Sequence, residues 1–195
     1  MTSVLQNLIT RATFCSDIRY GRTRFFLGNK FGKFLLLQSM FFVLILFCPL
    51  HSLADENAHG EIGVGGGLGG VFDAQKRLFI LAEYRFKYNY LGISPWITLH
   101  TSGKETYVTS GLFKDLDLSK HWCITPGFSL GLYGERDGMN LGSPLEFKSS
   151  LEISYKTSSQ RRIGLRISHI SNGGLDEHNP GAEMLSLFFT FPVRD

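Results

Sequence analysis

The chain has 195 residues, with 20 Lys+Arg against 17 Asp+Glu and a formal charge of +3. Residues 55–195 alone hold 14 Lys+Arg and 16 Asp+Glu, formally −2, so the basic balance sits in the first 54 residues and argues for no nucleic-acid partner. Cys15 and Cys48 fall in that first part, and Cys123 alone can form neither an intramolecular disulfide nor a cysteine-rich metal site.

Residues 1–29 carry Arg11, Arg19, Arg22 and Arg24 without a clear apolar period, and read as a long n-region or as sequence upstream of the true start. Residues 34–50, FLLLQSMFFVLILFCPL, follow Lys30 and Lys33 and lead into Ser52-Leu53-Ala54, a small-residue cleavage pattern. This predicts a secretory signal peptide cut after Ala54, leaving residues 55–195 as the mature chain. A membrane anchor is the alternative, since the run is near the lower length limit of a spanning helix, but Pro49 and the small residues end it as a signal ends.

Beyond Ala54 the chain alternates apolar and polar residues between Gly, Pro, Asp and Asn breaks, which indicates strands. Eight runs are predicted, at 60–72, 77–88, 92–101, 105–116, 121–134, 144–156, 161–171 and 183–192. Residues 145–156 are the clearest: Leu145, Phe147, Ser149, Leu151, Ile153 and Tyr155 share one face, and Glu146, Lys148, Ser150, Glu152, Ser154 and Lys156 the other.

A soluble sandwich or lipocalin-like barrel also alternates. The strand lengths favour a membrane barrel, whose crossing needs roughly 9 to 11 tilted residues. Tyr84, Tyr88, Tyr90, Trp122 and Tyr155 suit interfacial girdles, and Glu146, Lys148, Glu152, Arg162 and Arg166 suit a polar interior that a soluble core could not bury cheaply. The fold class is therefore all-β, an eight-stranded antiparallel transmembrane β-barrel, too narrow for a porin channel.

In the seventh run, Ile163, Leu165, Ile167, His169 and Ser171 share the lipid-facing row, and in the eighth Glu183 leads Leu185, Leu187, Phe189 and Phe191. An antiparallel hairpin can pair 169 with 183, bringing Glu183 beside His169 with Ser171 two residues further on. Three such groups on a lipid-facing surface are costly unless they satisfy one another or serve chemistry, and the arrangement they can make is a nucleophile, a general base and a carboxylate that orients it. Each alone has an ordinary reading as a polar residue at headgroup level.

The turns Ser171-Asn172-Gly173-Gly174 and Asn179-Pro180-Gly181-Ala182 read first as turn chemistry. Their functional reading gives Asn172, Asn179 or the Gly173 and Gly174 N–H groups the task of binding a developing oxyanion. Asp176, Glu177 and His178 read as solvated loop charges, with metal binding or a place in the catalytic set as the alternative. If eight strands begin and end in the periplasm, the seventh finishes at the cell surface, in the leaflet where lipopolysaccharide is the lipid.

At these residues the sequence resembles the lipid A 3-O-deacylase (PagL) family. The resemblance rests on His169-x-Ser171-Asn172, Asn179-Pro180-Gly181 and Glu183 twelve residues after the serine, with Leu145-Glu146-Phe147 and Leu151–Tyr155 like the family's penultimate hairpin. It implies an outer-membrane barrel that hydrolyses the 3-O-linked hydroxyacyl ester of lipid A through Ser171, His169 and Glu183, without a metal, with Asn172 and Asn179 in or behind the oxyanion site. Gly173 stands where Ala is expected, leaving that backbone less constrained, and Val193-Arg194-Asp195 replaces a terminal aromatic, which bears on assembly. A non-enzymatic scaffold or adhesin barrel, or a lipid A acyltransferase sharing the first half-reaction, are the competing readings.

Overall fold

The computed structural model describes residues 60–73, 76–87 and 91–193. The leader reading, Tyr88, Tyr90, Arg194 and Asp195 lie outside them. The strands are β1 (Gly60–Gly69), β2 (Arg77–Phe86), β3 (Ile93–Thr101), β4 (Glu105–Lys114), β5 (Leu116–Asp117), β6 (Trp122–Glu135), β7 (Leu145–Lys156), β8 (Arg162–Ser171) and β9 (Ala182–Val193).

Nine elements make eight staves, because β5 continues β4 in the same register along β6. The register sets Lys114 opposite Pro126, which has no N–H to donate, and the ladder breaks there. Asp115 at the break accepts from Thr125 Oγ1 at 2.5 Å and from Arg162 at 2.6 Å.

Every neighbouring pair is antiparallel, β1 pairs with β9 and β4 pairs with β6, so the sheet closes and has no free edge. Gly60 and Val193 sit at one end. Ser171 and Ala182 sit at the other, where residues 136–144 and 172–181 form the longer connections.

The barrel is apolar outside and polar inside. Leu151, Ile153, Ile163, Leu165, Ile167, Leu187, Phe189 and Phe191 are all exposed, whereas Glu83, Arg85, Glu146, Lys148, Glu152 and Arg166 are buried. No soluble protein gains by that inversion, but in a bilayer the apolar wall faces hydrocarbon and the charges are shielded within. Trp122 packs edge-on against Tyr155 at 5.4 Å at the same end as Gly60 and Val193, as an aromatic girdle does.

Inside, Arg166 donates to Glu83 at 2.7 and 3.0 Å and to Glu152 at 2.8 Å, and Arg85 to the same carboxylates at 2.7 and 2.6 Å. Both guanidinium groups lie against Trp96 and Phe188, the Arg166 group at 4.8 and 4.6 Å. The inner row of β1 is glycine for steric reasons: a Cβ at Gly63 would meet Glu83 and one at Gly67 the Phe79 ring. These side chains fill the lumen as eight strands require, and no porin-like passage is left.

Candidate active site

The β8–β9 register pairs His169 directly with Glu183, as the alternation predicts. His169 Nδ1 lies 3.2 Å from Glu183 Oε1, with the two side chains 34% and 30% exposed. A carboxylate oxygen accepts, so Nδ1 is the donor in this contact and Nε2 is the ring's other polar atom. Gly181, at φ 69°, explains how the ring is accommodated: a Cβ there would stand 3.0 Å from His169 Cε1 and 3.5 Å from Nε2. The backbone entering β9 thus lies close to the reactive edge of the ring, and only glycine permits it.

Ser171 stands two residues along β8 from His169, on the same outward row, and pairs with Phe147 of β7. The sequence puts it among exposed residues, yet it is only 4% exposed, at the point where β8 passes into the 172–181 connection. Its Oγ is buried without a hydrogen-bond partner. A buried hydroxyl left unpaired costs about 1–3 kcal/mol, and such an exception asks for a functional explanation.

Asn172, fully buried, organises the loop. Its Nδ2 donates to the Leu141 and His178 carbonyls at 3.0 and 2.9 Å, and its Oδ1 accepts from Gly174 N–H at 2.9 Å. Its own N–H donates to Asn179 Oδ1 at 3.2 Å. Gly173 and Gly174 have φ of 65° and 87°, and Leu175 N–H returns to Asn172 O, a turn with two left-handed central residues.

The sequence leaves Asn172, Asn179 and the neighbouring glycine N–H groups as alternatives for the oxyanion, and their hydrogen bonding differs. Both Asn172 Nδ2 hydrogens are spent, one on the His178 carbonyl within the loop and one on the Leu141 carbonyl of the 136–144 connection, and the Gly174 N–H is spent on Asn172 Oδ1. Among the described residues no hydrogen bond occupies Asn179 Nδ2 or the Gly173 N–H. Asp176 accepts from His178 N–H at 2.8 Å, and Asp176, Glu177 and His178 are exposed, as solvated loop residues should be. No metal-binding group of three or more His, Cys, Asp or Glu side chains occurs among the described residues.

Sequence reasoning missed the β6–β7 connection. Asn140, Leu141 and Gly142 contact the 172–181 loop although some thirty residues of chain separate them from it, and no local pattern marks them.

The fold and this row of residues define a class: an outer-membrane β-barrel presenting a serine, a histidine and a carboxylate together on its lipid-facing wall. A family model described as lipid A 3-O-deacylase (PagL) matches residues 61–192, and the chain belongs to that family. It is 39% identical over 61 residues to lipid A deacylase PagL of Pseudomonas aeruginosa, covering 31% of this chain and 35% of that protein. It is 37% identical over 51 residues to lipid A deacylase PagL of Bordetella bronchiseptica, covering 26% and 29%. These alignments span about a third of the length of the curated relatives.

Among solved structures, the outer membrane enzyme PagL superposes with a TM-score of 0.54 at 18% identity, over 68% of this chain and 99% of that one. Neisserial surface protein A gives 0.51 at 12% identity, over 71% and 98%. At these identities the likeness speaks for the barrel alone.

Proposed function

We propose that this barrel is a serine esterase that removes the 3-O-linked acyl chain from lipid A in the outer leaflet, with lipopolysaccharide as its substrate. The observation that carries the reading is the His169–Glu183 contact on the lipid-facing row beside the unpaired Ser171 hydroxyl. The position of the ester is supported by the description of the family model that spans the barrel.

In this mechanism His169 Nε2 takes the Ser171 proton as Oγ attacks the ester carbonyl, and Glu183 holds the tautomer and stabilises the imidazolium. The oxyanion is received by the two donors the loop leaves unspent, the Gly173 N–H and Asn179 Nδ2, with Asn172 holding the Asn179 side chain through its N–H and the Gly173–Gly174 turn through Oδ1. Collapse breaks the bond to the sugar oxygen, which takes the proton from His169, and Ser171 is left acylated. Water, deprotonated by His169, then attacks the acyl carbonyl, releasing a fatty acid and restoring the serine.

The loop lengths support an orientation toward the outer leaflet. Bacterial barrels have short periplasmic turns and longer outer loops, and the reactive row lies at the long-loop end, opposite Gly60 and Val193. The test is mass spectrometry of lipid A after incubation with purified wild-type and Ser171→Ala barrels. Loss of one ester-linked hydroxyacyl chain with the wild type only is the expected result. Equal loss with both would remove Ser171 from the chemistry, and no loss with either would favour a scaffold role.

A further inference from the structure

The 172–181 loop is held from outside the catalytic hairpin. Met139 is fixed at both backbone groups: its N–H donates to Glu105 Oε1 at 2.7 Å, and its carbonyl accepts from Tyr133 Oη at 2.7 Å. From that anchor three successive residues reach the loop. Asn140 O accepts from His178 Nε2 at 3.3 Å, and Leu141 O accepts from Asn172 Nδ2 at 3.0 Å. At Gly142, φ 93°, the backbone lies so close to the His178 carbonyl that no Cβ fits between them, and that same carbonyl is the second acceptor of Asn172 Nδ2. Leu141 itself is 2% exposed and packs in the barrel mouth with Ile170 and Ala182, directly behind the reactive row.

We infer that the Asn140–Gly142 segment is a positioning clamp for the esterase site, setting Asn172 and through it the Asn179 side chain and the Gly173 N–H. The inference rests on the hydrolase reading above, but the clamp acts through Asn172 and His178, so the two can fail separately. The physical reason is economy of donors. Asn172 has two Nδ2 hydrogens, one ends on each side of the joint, and its N–H and Oδ1 then fix Asn179 and Gly174. Moving the Leu141 or His178 carbonyl therefore reorients a fully buried amide whose other groups aim the oxyanion donors. A misplacement of about 1 Å in such a site can cost on the order of 10²-fold in rate.

The test uses the full barrel in one detergent, with Gly142→Ala, Gly142→Asn, Asn172→Ala and the Gly142→Ala/Asn172→Ala double variant. Two quantities are followed: hydrogen–deuterium exchange of peptides covering 172–181, and turnover of lipopolysaccharide resolved into kcat and KM. Gly142→Ala should speed exchange in 172–181 with β8 and β9 peptides unchanged, and lower kcat by about 10- to 100-fold with KM within about twofold. Asn tolerates positive φ but carries a Cβ, so Gly142→Asn should be as impaired as Ala if the His178 contact is the cause. The double variant should be no worse than Asn172→Ala alone, since both changes break one joint.

If Gly142→Ala does not give a heat-modifiable barrel, Asn140→Ala carries the same test, removing only the acceptor that holds Gly142 N–H at 2.8 Å. Unchanged kcat in a folded Gly142→Ala barrel, or effects that multiply in the double variant, would overturn the clamp and leave the hydrolase standing. A wild type that cleaves no ester, with exchange still loosened by Gly142→Ala, would overturn the hydrolase reading and leave the mechanical joint.

Discussion

Removing the Glu183 carboxylate separates orientation from bond making. Glu183→Ala deletes the acceptor 3.2 Å from His169 Nδ1 and nothing else in the reactive row. In soluble serine hydrolases loss of this carboxylate costs about 10⁴-fold, and loss of the nucleophile up to about 10⁶-fold. Here both partners are about a third exposed, so water can solvate the imidazolium in part and the electrostatic share is screened. The expected loss is about 10³- to 10⁴-fold, or roughly 4–5.5 kcal/mol of transition-state stabilisation at about 1.4 per decade. Ser171→Ala should fall further, to background. Stability should move the other way or not at all: an acidic group on the lipid face near an interface costs up to about 1 kcal/mol, so its loss does not weaken the barrel. The assay compares initial rates at equal amounts of heat-modifiable barrel in the same lipid, with urea unfolding run in parallel. Near-normal turnover by Glu183→Ala, with Asp176→Ala or Glu177→Ala inactive instead, would show that the orienting carboxylate has been misassigned.

A protease site inserted between Leu175 and His178 should be cut in whole cells, and cutting only after the outer membrane is permeabilised would reverse the orientation. Arg166→Leu leaves Glu83 and Glu152 short of a partner inside the barrel and should lower unfolding stability by about 3–5 kcal/mol. Wild-type stability in that variant would mean that the interior charges are not coupled as drawn. Gly173→Ala should reduce turnover roughly tenfold, because φ of 65° costs an L-residue about 1–2 kcal/mol and its Cβ would meet the Phe147 ring at 3.0 Å. A Phe147→Leu change in the same chain should recover part of the loss, and an unaffected Gly173→Ala would remove the turn from the site.

The β7 staves could be read in the sequence because each inner position is charged or hydroxyl-bearing and five of the six outer ones are large and apolar. The His169–Glu183 pairing was equally legible, since parity alone decides which residues of a hairpin share a face. Strand β1 is harder: glycine at 63, 65, 66 and 67 removes the alternation, and its reason lies in backbone and side-chain atoms of β2 and β9. The predicted first run overshoots to 72, whereas β1 ends at Gly69. The fourth predicted run, 105–116, has no break in its pattern, and the interruption before Leu116 comes from a proline on the neighbouring strand. Nothing local separates Asn172 from Asn179, because what distinguishes them is the Leu141 carbonyl, brought in from another loop.

The packed lumen has a kinetic corollary. With Arg85, Arg166, Trp96 and Phe188 closing the interior, nothing lipid-sized can travel through the barrel, and whatever meets the His169–Ser171 row must come sideways through the leaflet. Encounter is then planar. On the hydrolase reading, the concentration that governs turnover is a surface density of lipid per unit of membrane, and a released acyl chain stays in the same plane as its source. Diluting the vesicles should leave the rate per barrel unchanged, whereas diluting the substrate with inert lipid at constant bulk amount should lower it.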